Sequence, residues 1–333
     1  MLGFYSSLNR ERVVNDYVLD LKGIHKTYRG GVKALKGVDL QVPRGCIYGL
    51  LGPNGAGKST MVKILMTLIR KSGGEGTMLG KPIGDRSALQ KVGLLPEHAR
   101  FPDYLTGRQV IEFSAGLQDV PANLTRSRTD ELLELVQMSD AQNRKVKGYS
   151  KGMKQRIGIA QALVNDPEIV FLDEPTDGVD PAGRRDFRVL MKKLRDEGRT
   201  IFINTHILSE LEPIVDRVAI LSHGEILGEG KLDDLRKTKS EYRVEFEGVL
   251  SVEGRVAMEG AGLHVESGLI SQTTNRAADI QKVIDHLRNE DLVITKVERH
   301  EQSLEDLFMG FIETTPPPLP GTPKTQPPAL PKS

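Results

Sequence analysis

The chain has 333 residues, 38% of them hydrophobic and 27% charged, which allows about two domains and a sizeable buried core. Its 46 Lys and Arg against 45 Asp and Glu leave a net charge of +1, so bulk charge gives no reason to expect a nucleic-acid partner or an acidic membrane surface. The single cysteine, Cys46, rules out an intramolecular disulfide; set in an apolar run with Ile47, Tyr48 and Leu50, it reads as a buried bystander.

Residues 1–17 read as an N-terminal extension, and the start MLGFYSSLNRER is not patterned as a signal peptide. No stretch reaches the ~18 consecutive apolar residues of a membrane helix, so work at a membrane requires a spanning partner. Residues 18–235 alternate strands and helices with Gly-rich connections, an α/β pattern. IYGLLG (47–52), IVFLDE (169–174) and TIFINTH (200–206) are short apolar runs of the kind found in buried parallel strands. Helices are predicted at 61–70, 125–138, 154–164 and 184–198; the last two carry apolar residues at three- and four-residue spacing, with Gly198 as a stop. From 236 to 312 the pattern changes to a small α+β unit. It has strands at 242–249 and 292–299, an amphipathic helix at 277–289 and a closing helix at 303–312. The Pro-rich tail 313–333 lacks the apolar content to fold and is expected to be disordered.

GPNGAGKST (52–60) lies between an apolar run and a helical run, the strand–loop–helix context that GxxxxGK[ST] requires. Gly52, Gly55 and Gly57 let the backbone fold tightly with its N–H groups turned towards phosphate oxygens, and the helix start adds its dipole. Lys58 is placed to reach the β- and γ-phosphates, and the Ser59 hydroxyl to bind Mg²⁺. The bland reading is a glycine turn with an incidental lysine. The strand and helix on either side weigh against it. IVFLDEP (169–175) ends in two carboxylates where the C-terminal edge of a parallel sheet faces the ligand crevice; alone they could be an acidic strand end capping the next turn, and the phosphate loop before them favours catalysis. Asp173 is the candidate Mg²⁺ partner and Glu174 the candidate general base.

GPNGAGKST, YSKGMKQRIGIAQAL (149–163), IVFLDEPTDGVD (169–180) and THILSELE (205–212) follow in that order. Over roughly residues 18–235 the chain resembles the nucleotide-binding subunit of ATP-binding-cassette transporters. The resemblance implies a P-loop NTPase cassette: a mostly parallel sheet core with an antiparallel β subdomain and a helical subdomain at about 98–150. A small α+β C-terminal domain would follow. It also implies ATP hydrolysis with Mg²⁺, and nucleotide contacts from Gly52, Pro53, Asn54, Gly55, Ala56, Gly57, Lys58, Ser59 and Thr60. Ser150 and Gly152 fall in the signature motif, which in such proteins grips the γ-phosphate held by a second copy; a head-to-tail homodimer follows. Asp180 matches the loop that crosses that interface, His206 the switch histidine, and Tyr28 the aromatic that stacks on adenine.

The signature departs from LSGGQ, with Lys151 in place of a glycine and Met153 in place of a glutamine. Lys151 keeps positive charge near the partner's phosphates. Glu97 occupies the position of a glutamine that touches Mg²⁺ in such proteins; a carboxylate still ligates Mg²⁺ but adds negative charge. The YSKGMKQR form, Glu97 and the ending SLEDLF together resemble a bacterial exporter-like subgroup that pairs with a separate integral membrane permease. That implies a peripheral position on the cytoplasmic face of the cell membrane. Two rival functions are a soluble cassette ATPase acting on ribosomes or DNA and a regulatory ATP-binding module without turnover.

Overall fold

The computed structural model describes residues 16–207, 211–232, 234, 240–274 and 276–301. The closing helix expected at 303–312, the tail at 313–333 and residues 1–15 lie outside the described residues.

An antiparallel sheet opens the chain. β1 (Tyr17–Thr27) pairs on one side with β2 (Lys33–Pro43) and on the other with β4 (Gly73–Met78), and β5 (Lys81–Pro82) completes the order β2-β1-β4-β5. A second, six-stranded sheet is built from β3 (Ile47–Leu51), β6 (Val92–Leu95), β7 (Ile169–Asp173), β8 (Thr200–Thr205), β9 (Arg217–Ser222) and β10 (Glu225–Lys231). Its order is β10-β9-β3-β8-β7-β6, and every neighbour is parallel except the β9–β10 hairpin. The helices are α1 (Lys58–Leu65), the single turn α2 (Arg86–Leu89), α3 (Gly107–Leu117), α4 (Ala122–Leu135), α5 (Lys151–Ala162) and α6 (Pro181–Asp196). This is the expected α/β cassette.

β3, β7 and β8 are buried at every position, because the sheet they form is covered on both faces. Successive side chains serve opposite layers. Ile47, Leu51, Val170, Leu172, Ile201 and Ile203 join the core under α3–α6. Tyr48, Leu50, Phe171 and Phe202 join the core shared with α1 and the antiparallel sheet. Strand register sets three aromatics side by side across that second layer. Phe202 stacks on Tyr48 with centroids 5.6 Å apart, and Phe171 tilts against it at 5.2 Å.

The four longer helices expected in this part of the chain are present, but each begins about three residues early. α1 starts at Lys58 because Gly57 adopts a left-handed conformation and hands the chain straight to the helix; it ends at Leu65, ahead of left-handed Thr67. α5 starts behind Ser150, whose Oγ accepts from the Met153 N–H. α6 starts behind Asp180 with Pro181 in its first turn, where the missing N–H is of no consequence. Apolar periodicity does not extend into these polar first turns, so it marks their starts late.

After residue 240 a separate antiparallel sheet forms from β11 (Ser240–Glu247), β12 (His264–Glu266), β13 (Leu269–Thr273) and β14 (Val293–Glu301), in the order β12-β13-β11-β14. With α7 (Val252–Gly260) and α8 (Ala277–Asn289) it has its own core, centred on Val244, Phe246, Ile270, Ile280, Val283 and Leu287. Phe202→Ala should destabilise the fold by about 3–5 kcal/mol and lower Tm by roughly 10 °C, read by calorimetry. A fall of only a degree or two would show that the aromatic layer does not hold the two sheets together.

Candidate active site

Parallel alignment puts the C-terminal ends of β3, β7 and β8 on one edge, and the functional side chains hang from the segments that leave it. From β3 comes the glycine loop. A Cβ on Gly52 would lie 2.2 Å from the Leu221 carbonyl oxygen, so only glycine passes there. Gly57 has φ +115° and a Cβ on it would meet the Ala34 oxygen at 2.6 Å. The loop is also laced to its surroundings by backbone bonds: Gly224 N–H donates to the Ala56 carbonyl at 2.9 Å, and Lys36 N–H to the Gly224 carbonyl at 2.9 Å.

Lys58, 6% exposed, folds back over the loop; its Nζ donates to the Gly52 carbonyl at 2.6 Å and lies 3.9 Å from Glu174 Oε1. Burial lowers its pKa, opposed by the nearby charges of Glu174, Asp173 and Glu97. Glu174 is itself left-handed, with φ +49°, a conformation found where the surroundings enforce it. Its Oε1 lies 2.9 Å from His206 Nδ1, its Oε2 accepts from Thr205 Oγ1 at 3.0 Å, and its N–H donates to the Asn204 carbonyl at 2.9 Å. The carboxylate is thus held between the ammonium and the imidazole. Pro53, Asn54, Gly55, Ala56, Gly57, Lys58, Ser59 and Thr60 line a cavity of about 310 Å³ with Ala34, Glu97, Glu174, Asp177 and His206.

Asp173 sits just beneath, 8% exposed, bonded to Ser59 and to Asn204 Nδ2 at 3.4 Å. The Ser59 hydroxyl, the Asp173 carboxylate and Glu97 on the cavity wall are hard oxygen donors of the kind Mg²⁺ takes. Among the described residues no three His, Cys, Asp or Glu side chains gather to hold a metal by themselves. An ion here would therefore draw further ligands from phosphate and water, the usual mode for Mg²⁺. At the loop's far end Tyr28, 37% exposed, bonds Thr60 Oγ1 through its hydroxyl at 3.3 Å, and Lys26 Nζ lies 5.2 Å from its ring centroid.

The remaining candidates are elsewhere in the same chain. Ser150, Gly152 and Asp180 line a separate groove of about 920 Å³ between α4, α5 and α6. Ser150 and Asp180 cap α5 and α6, Asp180 accepting from the Gly183 N–H at 2.7 Å. A Cβ on Gly152 would meet nothing within 4 Å, so that side of the helix tip is open. Asn204, Thr205 and Asp177 join the site without having been singled out from sequence. Each lies within three residues of Glu174 or His206 in the same motifs, which is the signal that could have found them.

Burial pushes the Asp173 carboxyl above its ordinary value of 3.8, with the bonds from Asn204 and Ser59 pulling the other way. A folded value above the unfolded one means that ionisation opposes folding. The penalty is absent below the ordinary value, grows as pH rises above it and is complete once pH has passed the raised one. Asp173→Asn should therefore raise Tm at pH 7, by a margin that shrinks as pH is lowered towards 4. A variant that melts below the parent at pH 7 would contradict this.

Residues 35–177 match the ABC transporter family. An ABC transporter ATP-binding protein of Nostoc sp. is 50% identical over 230 residues, covering 67% of this chain and 69% of that protein. The daunorubicin resistance ATP-binding protein DrrA3 of Streptomyces coeruleorubidus is 33% identical over 304 residues, covering 88% of this chain and 95% of that protein. Among solved structures, a dimeric ATP-binding cassette in a post-hydrolysis state, bound to ADP and Pi, matches with a TM-score of 0.59 at 29% identity, over 64% of this chain and 98% of that one. With the glycine cradle, the buried lysine and the carboxylate on one sheet edge, these likenesses place the chain in the ABC transporter family as an ATP-binding subunit, a class of ATPase that hydrolyses ATP to power transport.

Proposed function

We propose that this chain drives export through a separate membrane-spanning permease, working as a homodimer at the cytoplasmic face of the membrane. The observation that carries the reading is the division of the site. Lys58, Glu174 and His206 converge on one cavity, whereas Ser150, Gly152 and Asp180 line another, so one chain presents two half-sites. Head-to-tail pairing of two copies would bring each Ser150 helix tip to the phosphates held by the other copy, where a hydroxyl and a helix N-terminus both favour an anion. The related cassette solved as a dimer with ADP and Pi supports this arrangement. The name of the DrrA3 relative, a drug-resistance protein, supports export. Among the described residues no helix is long and apolar enough to cross a membrane, in keeping with a peripheral subunit. We infer a cassette over 18–235, with a helical subdomain at about 98–150, and an α+β accessory domain over 236–312.

In the catalytic cycle the 52–60 backbone N–H groups receive the phosphate tail, and Lys58 Nζ exchanges the Gly52 carbonyl for a phosphate oxygen. Ser59, Asp173 and Glu97 would hold Mg²⁺, which when bound neutralises phosphate charge. Tyr28 offers its ring face to the base. The Glu174 carboxylate, fixed by Thr205 and His206, orients the attacking water and takes its proton. His206 steadies the γ-phosphate, and positioning together with fixed charge supplies most of the acceleration. The relatives' names favour this over the ribosome- or DNA-associated alternative.

Glu174→Gln should leave ATP binding intact, lower turnover by about a hundredfold or more, and accumulate an ATP-bound dimer on size-exclusion chromatography with light scattering. Parental turnover in that variant would remove Glu174 as the base, and a chain that stays monomeric with ATP would remove the shared site.

A further inference from the structure

Lys151 and Asp177 are both exposed and lie 26 residues apart, yet Lys151 Nζ is 2.7 Å from Asp177 Oδ2. A surface pair of this kind adds little to stability, so its placement matters more than its strength. Lys151 is the first residue of α5, where the helix dipole disfavours a cation. Its stem nevertheless lies across Gly178, where an added Cβ would fall 2.4 Å from Lys151 Nζ and 2.9 Å from Cδ. The loop after Glu174 thus leaves room for this side chain, which a Cβ at position 178 would push aside.

Asp177 is a carboxylate on the wall of the Lys58 cavity, beside Glu97 and Glu174. With a nucleotide bound at Lys58, that wall would face its phosphates. Glu174 is answered by Lys58 and His206, and Glu97 lies 3.7 Å from His98. Asp177 is answered by Lys151, which holds its carboxyl below the usual carboxylate range.

We propose that Lys151 is a positioning residue for nucleotide binding: by pairing with Asp177 it cancels a negative charge on the wall of its own chain's phosphate cavity. The role is exercised inside a single copy, before a second copy closes the site, and is distinct from any contact of Lys151 with a partner's phosphate. It rests on phosphates occupying the cavity at Lys58.

Binding of ADP and of a non-hydrolysable ATP analogue to the full chain, measured by calorimetry at concentrations where it is monomeric, tests the proposal. Lys151→Gln should weaken binding by roughly three- to tenfold, more for the ATP analogue than for ADP, because an unneutralised carboxylate then faces the phosphates. Adding Asp177→Asn to that variant should restore the parent's affinity. In 1 M salt the Lys151→Gln deficit should shrink to less than about twofold. Parental affinity in Lys151→Gln would overturn the proposal. So would a double variant that stays weak, because a lysine acting directly on phosphate, or merely bracing the loop, is not rescued by removing Asp177. A Lys58→Ala variant that binds like the parent would instead overturn the phosphate placement itself.

Discussion

The site depends on one constraint: three strands buried on both faces run side by side in the same direction. β3, β7 and β8 are buried throughout, so helices and a second sheet have to cover them on both sides. Once they are parallel their ends coincide, and the segments leaving β3, β7 and β8 are brought together without any direct sequence proximity. The glycine loop, the Asp173–Glu174 pair and the Thr205–His206 step become neighbours for that reason. The same register sets Tyr48, Phe171 and Phe202 side by side in the layer beneath that edge.

At that edge the electrostatics are arranged around missing charge. Lys58 is buried, which disfavours its ammonium, yet it is surrounded by carboxylates that favour it. Asp173 is buried and resists ionisation, while Ser59 and Asn204 pull it back. Each group is stabilised by partners it would share with or surrender to an incoming anion and its counter-ion. A site preorganised in this way has little rearrangement left to make when ligand arrives.

Much of this was legible in the sequence. The phosphate loop and the carboxylate pair are local patterns whose residues act within a few positions of one another, and the apolar runs 47–52, 169–174 and 200–206 announced the buried strands. Less legible was whatever depends on register or on polar contact. The antiparallel sheet is implied only by the resemblance, and its strands are not located by periodicity because β1 and β2 carry bulges that break the two-residue alternation. The pairing of Lys151 with Asp177 joins two motifs that read separately, and no spacing rule predicts it. Helix starts were misplaced wherever a cap, rather than an apolar residue, set the boundary, as at Gly57, Ser150 and Asp180.

The lacing of the glycine loop has a consequence for how this protein tolerates change. Ala56 and Lys36 are both tied to Gly224 through main-chain groups, and Gly224 belongs to the turn between β9 and β10. These ties do not depend on which side chains Ala56 and Lys36 carry. Length is not free: one residue gained or lost in that distant hairpin would slide the anchor and carry the glycine loop with it. The hairpin works as a ruler for the site, although it lies far along the chain from the loop that lines the cavity.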